Sequence, residues 1–221
     1  MTGKSGALWQ MVAGAFIALA LAFMAINIKS GMLQFRDADL ALWPINFSVF
    51  GNELDPLQND IELQQSLIRS FLLLKGFSEA DIQLSMPKIT DQHANVYGSV
   101  LPADRYRAEV TVLVRTQDVE RVKTTMQSVG ELVKSGVALT QSYEFQPSFV
   151  FTGLESIKPE MIADATRDAR AAADQFARDA EASVGSIRRA SQGYFSIEDV
   201  DPFTPETKRV RVVTSIDYIL R

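Results

Sequence analysis

A single histidine, His93, stands beside Asp91 and Gln92, and the 221 residues contain no cysteine. Zinc and iron centres generally gather several imidazoles or thiolates, so one imidazole is a poor nucleus for a metal site. His93 is also the one evident base for a serine nucleophile, and no Gly-x-Ser-x-Gly turn is present to expose one. It is read as a polar loop residue between two strands. Lack of cysteine removes disulfides and thiolate chemistry and leaves the redox compartment open. Glu198, Asp199 and Asp201 are clustered and could offer oxygen ligands to a divalent cation. With Pro202 alongside, a solvated turn explains them more cheaply. Gly3-Lys4-Ser5 lacks the glycine-rich strand turn of a phosphate loop. The expectation is therefore a protein without catalytic, cofactor-binding or metal-ligating residues, and not an enzyme.

Composition narrows the partners. Charged residues make up 22% and apolar residues 47%, ordinary for a folded chain. A net charge of -5 argues against nucleic acid, whose phosphates call for a clustered basic surface. The nearest approach to one is Lys208, Arg209 and Arg211 with Arg188 and Arg189, which two strand faces would account for.

From Gly6 to Ile28 no residue is charged. Twenty-three helical residues would reach about 35 Å, enough for a hydrocarbon core of about 30 Å. Trp9 and Lys29 sit where interfacial anchors would. A cleaved signal peptide is the rival, with Ala20-Leu21-Ala22 as a small-x-small site, but signal cores usually run to about 15 residues. The reading adopted is an uncleaved anchor over residues 1–29, contacting the bilayer through 6–28, followed by a folded domain over 30–221. Lys4 on one side and Lys29 with Arg36 on the other leave the orientation undetermined by charge.

Beyond the anchor, strands and helices alternate. Ile45–Phe50 reads as a strand by alternation. Asp55-Pro56-Leu57-Gln58 reads as a helix start with Asp55 as cap, the helix running to Lys75-Gly76 with Leu57, Ile61, Ile68 and Leu72 on one stripe. Ile82, Leu84 and Met86 alternate until Pro87. Ala108, Val110, Val112 and Val114 share one face of the next strand, opposite Arg107, Glu109, Thr111 and Arg115. A second helix carries Val119, Val122, Met126, Val129 and Val133 and ends at Ser135-Gly136. Tyr143, Phe145, Phe149 and Phe151 mark one face of another strand. This β-α-β-β-α-β order is the split pattern of ferredoxin-like sandwiches.

A second unit follows: a long helix from Pro159 to Val184, closed by Gly185, then strands from about Ile187 to Val200 and Lys208 to Leu220. The subdivision expected is 38–152 and 153–221. Alanine crowds the helix, and Ile162, Ala165, Ala169, Ala172, Phe176, Ala180 and Val184 form its apolar stripe. Alanine favours helix and permits a neighbouring backbone to come close. The stripe is expected on its own sheet, with a second small-residue face available to another subunit. Asp164, Asp168, Asp174, Asp179 and Glu181 with Arg167, Arg170 and Arg178 read as a salt-bridged outer face.

Several stretches carry a resemblance. These are Tyr106-x-Ala108 opening a valine strand, Lys158-Pro159-Glu160-Met161-Ile162, and Ala172-Ala173-x-x-Phe176-Ala177. To them add Val184-Gly185-x-Ile187, Ser191-Gln192-Gly193, the closing Val210-x-Val212-Val213…Tyr218, and Asp39-Leu40-Ala41-Leu42-Trp43-Pro44. In order and spacing the chain resembles the SIMPL-domain family of bacterial envelope proteins, in a membrane-anchored branch. The resemblance implies an α+β domain exported to the periplasm or inner membrane, in a family that includes ring-like assemblies. It transfers no catalytic residue. The family's first strand normally precedes the Asp-Leu-Ala-x-Trp-Pro motif, and here that stretch runs into the hydrophobic segment. Either the strand is short or the membrane helix ends before Ile28.

The function expected is a membrane-anchored scaffold that self-associates as a homo-oligomer. The alternative is a periplasmic binding module that takes a small ligand or partner protein, with the aromatic segment Tyr143–Phe151 as its candidate surface.

Overall fold

Alternating apolar residues fold this chain into strands wherever the period is two, and the computed structural model places them in two separate sheets. It describes residues 25–94, 101–140 and 145–221. The fold is mixed α+β, with two antiparallel sheets and four α-helices among the described residues. Contacts divide the chain into two units. The first contains described residues 25–36, 153–200 and 207–221, and the second 37–152 and 201–206.

In the second unit, β2 (Leu40–Gly51) lies beside β5 (Tyr106–Thr116), with Ile45 opposite Val112 and Phe47 opposite Val110. Strands β3 (Ile82–Leu84) and β4 (Lys88–Asp91) share the far edge of β5, and β6 (Ser148–Val150) pairs with the start of β2. The sheet order is β3-β5-β2-β6. Pro87 interrupts the edge between β3 and β4, as a residue without an N–H should.

One face of this sheet presents Ala41, Trp43, Ile45, Phe47, Val49, Ala108, Val110, Val112 and Val114, all buried. Helix α1 (Leu54–Leu74) covers it with Leu57, Ile61, Ile68 and Leu72, the stripe expected from their spacing. The cap differs. Glu53, not Asp55, holds the cap position, which puts Pro56 at the third helical residue, still in the turn whose N–H groups lack intrahelical partners. Gly76, at φ +88°, ends the helix in the left-handed conformation that glycine tolerates.

The expected second helix is two pieces, α2 (Val119–Met126) and α3 (Gly130–Lys134). Tighter i to i+3 bonds at Ser128 and Val129 turn the chain between them. That changes the phase: Leu132 enters the core, whereas Val133 is exposed.

In the first unit, β9 (Thr207–Leu220) is central, with β1 (Ala25–Asp37) along one edge. Strands β7 (Val184–Gln192) and β8 (Ser196–Asp199) follow one another along the other edge, where one continuous strand was expected. Helix α4 (Leu154–Asp179) packs on β9. It starts five residues before Pro159 and stops before Val184, because Glu181 at φ 55° reverses the chain and Val184 and Gly185 belong to β7. Its buried face is therefore Met161, Ala165, Ala169, Ala173 and Ala177, a single i+4 ridge, while Phe176 points out.

The apolar segment expected to reach Ile28 is shorter than its composition implies. Ile28 is buried with Ala169, Ala173, Ile216 and Tyr218, and Ile26 packs against them. Asn27, between them, donates from its amide to the Ser215 hydroxyl at 3.0 Å and to the Asp217 carboxylate. Alternation of Ile with Asn and Lys is a strand pattern, and β9 supplies the partner. No helix of the described residues is long and apolar enough to cross a membrane; of the anchor expected over residues 1–29, residues 1–24 lie outside them and 25–29 belong to β1.

Candidate functional site

Strand β2 changes partners along its outer edge. Leu40–Leu42 pair with β6, and Asn46 and Ser48 bond to the 138–140 segment through Thr140 N–H to Asn46 O (2.8 Å) and Ser48 N–H to Ala138 O (3.2 Å). Between them, among the described residues, Trp43, Pro44 and Ile45 pair with β5 alone. Backbone polar groups in a strand point to alternate edges. Pro44 thus shares the outward parity of Asn46, and its ring leaves no N–H to donate toward that edge.

At this interruption lies a groove of about 330 Å³. Trp43, Pro44, Met126, Val129 and Phe145 give it apolar walls, and Asn46 with Thr140 adds polar groups. Trp43 is nearly buried and Phe145 half exposed. Behind the rim, Asn46 accepts a 2.6 Å hydrogen bond from the Thr111 hydroxyl, which fixes the side-chain amide. A pocket of this kind can take an apolar group with one hydrogen-bonding function. The sequence motif through Pro44 was legible as a resemblance. The groove was not, because Met126, Val129 and Leu139 join it from distant positions. A proline inside a strand pattern was the available signal that the ladder on one side of β2 lacks a donor there.

The residues singled out for chemistry are engaged in structural contacts. His93 lies at the end of the β4 hairpin, its Nε2 3.0 Å from the Pro102 carbonyl oxygen and its N–H donated to Asp91. Arg105 grips Asp91 at 2.9 Å, and that hydrogen bond holds the Asp91 carboxyl below the usual range. Glu198 pairs with Arg209 at 3.1 Å, and Asp199 with the buried Lys208. Asp201 instead caps its own turn, accepting from Thr204 and Phe203, and these bonds lower its carboxyl. The acidic trio is thus divided among three tasks. No group of three metal-ligating side chains gathers among the described residues. Gly3-Lys4-Ser5 and Tyr143 lie outside the described residues. Phe149 is buried in the second unit's core, so the aromatic segment does not present a single exposed face.

On α4, Arg167 pairs with Asp164, and Arg170 with Asp174 at 3.2 Å. Arg170 also donates to the carbonyls of Val184 and Gly185 and lies 5.4 Å from the centre of the Tyr218 ring. The Tyr218 hydroxyl is pushed up, chiefly by burial. This outer-face arginine clamps the helix to its sheet. Elsewhere Lys123 bridges Glu120 and Glu206, and Glu206 is lowered by its hydrogen bond from Lys123. Burial alone would raise Asp81, but hydrogen bonds from Ser78 bring it below its ordinary value. Carboxylates held ionised in this way suit ion pairing and turn capping; a general acid needs the opposite displacement.

No curated protein matches the chain. A family model described as SIMPL, protein of unknown function (DUF541), matches residues 35–218. That span runs from the end of β1 through the last buried residue of β9, taking in the groove, both helical layers and the paired acids. The chain belongs to the SIMPL family.

Proposed function

We propose that the protein is a membrane-anchored, non-enzymatic envelope protein of the bacterial inner membrane, its folded part periplasmic, that self-associates into a homo-oligomeric scaffold. The observation that carries the reading is a pair of strand edges in the first unit that no described residue pairs. Among the described residues, strand β1 runs for 13 residues and β7 for 9, each bonded to β9 alone in the sheet order. Long strand edges are templates for pairing with another chain. The edges at opposite sides of β9 are different, so joining one to the other is a head-to-tail contact, the kind that closes into rings. The anchor is supported by the sequence: residues 6–24 are uncharged, and nineteen residues in a helix would reach about 28 Å, close to a hydrocarbon core. The split β-α-β-β-α-β description of the second unit is supported by its β3-β5-β2-β6 order with all pairs antiparallel.

The test is the mass of the full chain in mild detergent beside a chain starting at Ala25. The start matters, since beginning at Ser30 would remove the first five residues of β1, among them the buried Ile28. Large, defined oligomers in both place assembly in the folded part. Monomers in both end the scaffold reading.

A second reading, a binding module, is favoured by the Trp43 groove. Trp9 and Trp43 are the two tryptophans, so Trp9→Phe leaves Trp43 as the sole reporter. Its emission should shift when a small apolar probe such as 1-anilinonaphthalene-8-sulfonate is titrated. An unmoved spectrum ends this alternative.

A further inference from the structure

We propose that the end of the first unit at which β1 begins is a bilayer-docking surface, seated in the lipid headgroups. The inference rests on the anchor reading of residues 6–24.

The junction comes first. The described part of β1 opens at Ala25, inside the uncharged run that extends from Gly6 to Ile28, so the sequence places no polar or charged linker between the proposed anchor and this strand. On the anchor reading of residues 6–24, this end of β1 enters the headgroup layer, which adds about 5–8 Å on each side of the hydrocarbon.

Pairing then identifies what else stands at that level. Asn27 bonds to Ser215 and Asp217 while Gly31, four residues on, lies against Val212 and Arg211, so β1 runs antiparallel to β9 and Ala25 lies beside the Tyr218 region. Ile187 is paired with Tyr218 from the other side. Two strand spacings of about 4.8 Å put Ile187 some 10 Å from Ala25 across the sheet. Helix α4 ends here too. Ala173 packs in the cluster that contains Tyr218, and Ala182 folds back to bond Ala177 at 2.8 Å before β7 opens at Val184.

The side chains left outward at this end suit an interface. Phe176 is 59% exposed and Ile187 51% exposed, although both belong to apolar patterns in the sequence. Lys29, Arg178, Arg188 and Arg189 are exposed around them, with Asp179 and Glu181 at the helix terminus. Aromatic and aliphatic side chains mixed with long cations are the composition of the headgroup zone, where the apolar part is buried and the charge meets phosphate. The sheet's core does not use these residues. A bilayer surface would.

Helix α4 is a ruler for the test. Glu160 and Phe176 are both exposed on it and sixteen residues apart, about 24 Å along the axis. Because the chain has no cysteine, Phe176→Cys and Glu160→Cys each give one labelling site for an environment-sensitive fluorophore. Full chains are reconstituted in phosphatidylcholine and phosphatidylglycerol vesicles with or without spin-labelled lipid, and floated. The expected result is blue-shifted emission quenched by the spin label at 176, and unquenched, water-like emission at 160. Floating protein with neither site quenched overturns the docking while leaving the anchor intact. Quenching at both sites also overturns it, since the helix would then lie along the membrane. A chain that does not float overturns the anchor reading and this inference with it.

Discussion

The two units solve one packing problem with different side chains. In the second, the sheet face and helices α1 to α3 meet through large residues: Trp43, Phe47, Ile61, Ile68, Phe71, Leu72 and Leu132. In the first, α4 meets β9 through Ala165, Ala169, Ala173 and Ala177, with Ile28, Ile216 and Tyr218 opposite. Large side chains interlock and hold helix and sheet apart at a distance set by their volume. Alanines let the helix come close, and backbone proximity then supplies much of the contact. The stability of the second unit should thus depend on keeping volume in place, and that of the first on keeping volume out.

Removing volume from the second unit gives the largest expected effect. Phe47 is fully buried, and Phe47→Ala should cost about 3–5 kcal/mol through lost transfer energy and an unfilled cavity. Denaturant unfolding followed by Trp43 emission in a Trp9→Phe background reads that unit directly. A loss below about 1 kcal/mol would mean its core is not close-packed.

Adding volume to the first unit comes next. Ala173→Leu, at a position with no exposed surface, should destabilise by about 1–3 kcal/mol by forcing α4 off β9. The contrast is sharpened by Phe176→Leu on the same helix, where the side chain is mostly exposed and the effect should stay within about 0.5 kcal/mol. Circular dichroism during thermal unfolding checks both. Equal losses would erase the distinction between the buried ridge and the outward face.

Gly193 tests the same close approach at the backbone. A Cβ there would stand 2.9 Å from the Val213 carbonyl oxygen, and Gly193 N–H bonds that oxygen at 2.7 Å. Gly193→Ala should cost about 1–2 kcal/mol as the strands separate. Amide exchange of Gln192 and Thr214, paired across β7 and β9, should quicken.

The smallest effect belongs to the Lys123–Glu206 pair, partly exposed at 2.5 Å. Its hydrogen bond lowers Glu206 and raises Lys123. A lowered carboxyl stabilises the fold above the unfolded value, about 4.3, and that contribution disappears as pH falls through the folded value. A raised ammonium contributes fully below about 10.4 and loses its contribution as pH rises through the folded value. Glu206→Gln should therefore cost about 0.5 kcal/mol or less at neutral pH. Its stability should also fall less steeply than the parent's on acidification, as urea midpoints across pH would record. A steeper acid slope in the variant would refute the sign.

How much of this was legible varied with the range of the contact. The valine strand through Ala108 and Val114 and the α1 stripe were readable because a buried face repeats at a fixed local period. The ends of α4 were not. Both Pro159 and Gly185 carry real local preferences, but one extra turn before the proline and a left-handed Glu181 after the last turn decided the boundaries. Ile26 and Ile28 were ambiguous in a similar way: an apolar run reads as membrane until a strand nearly two hundred residues away takes every second residue into a core.

The candidate groove shows the same limit. The motif ending at Pro44 was legible as a resemblance, yet the groove walls come from α2, the chain beyond α3 and the approach to β6. Family, α+β class, the buried faces of β5 and α1 and the lack of cysteine could be read from residue type and local spacing. Tertiary structure alone decided which apolar residues became core, which of the acids found cations, and that the first strand joins the last. Each of those outcomes depends on a partner far along the chain, and local propensity carries no information about where that partner will stand.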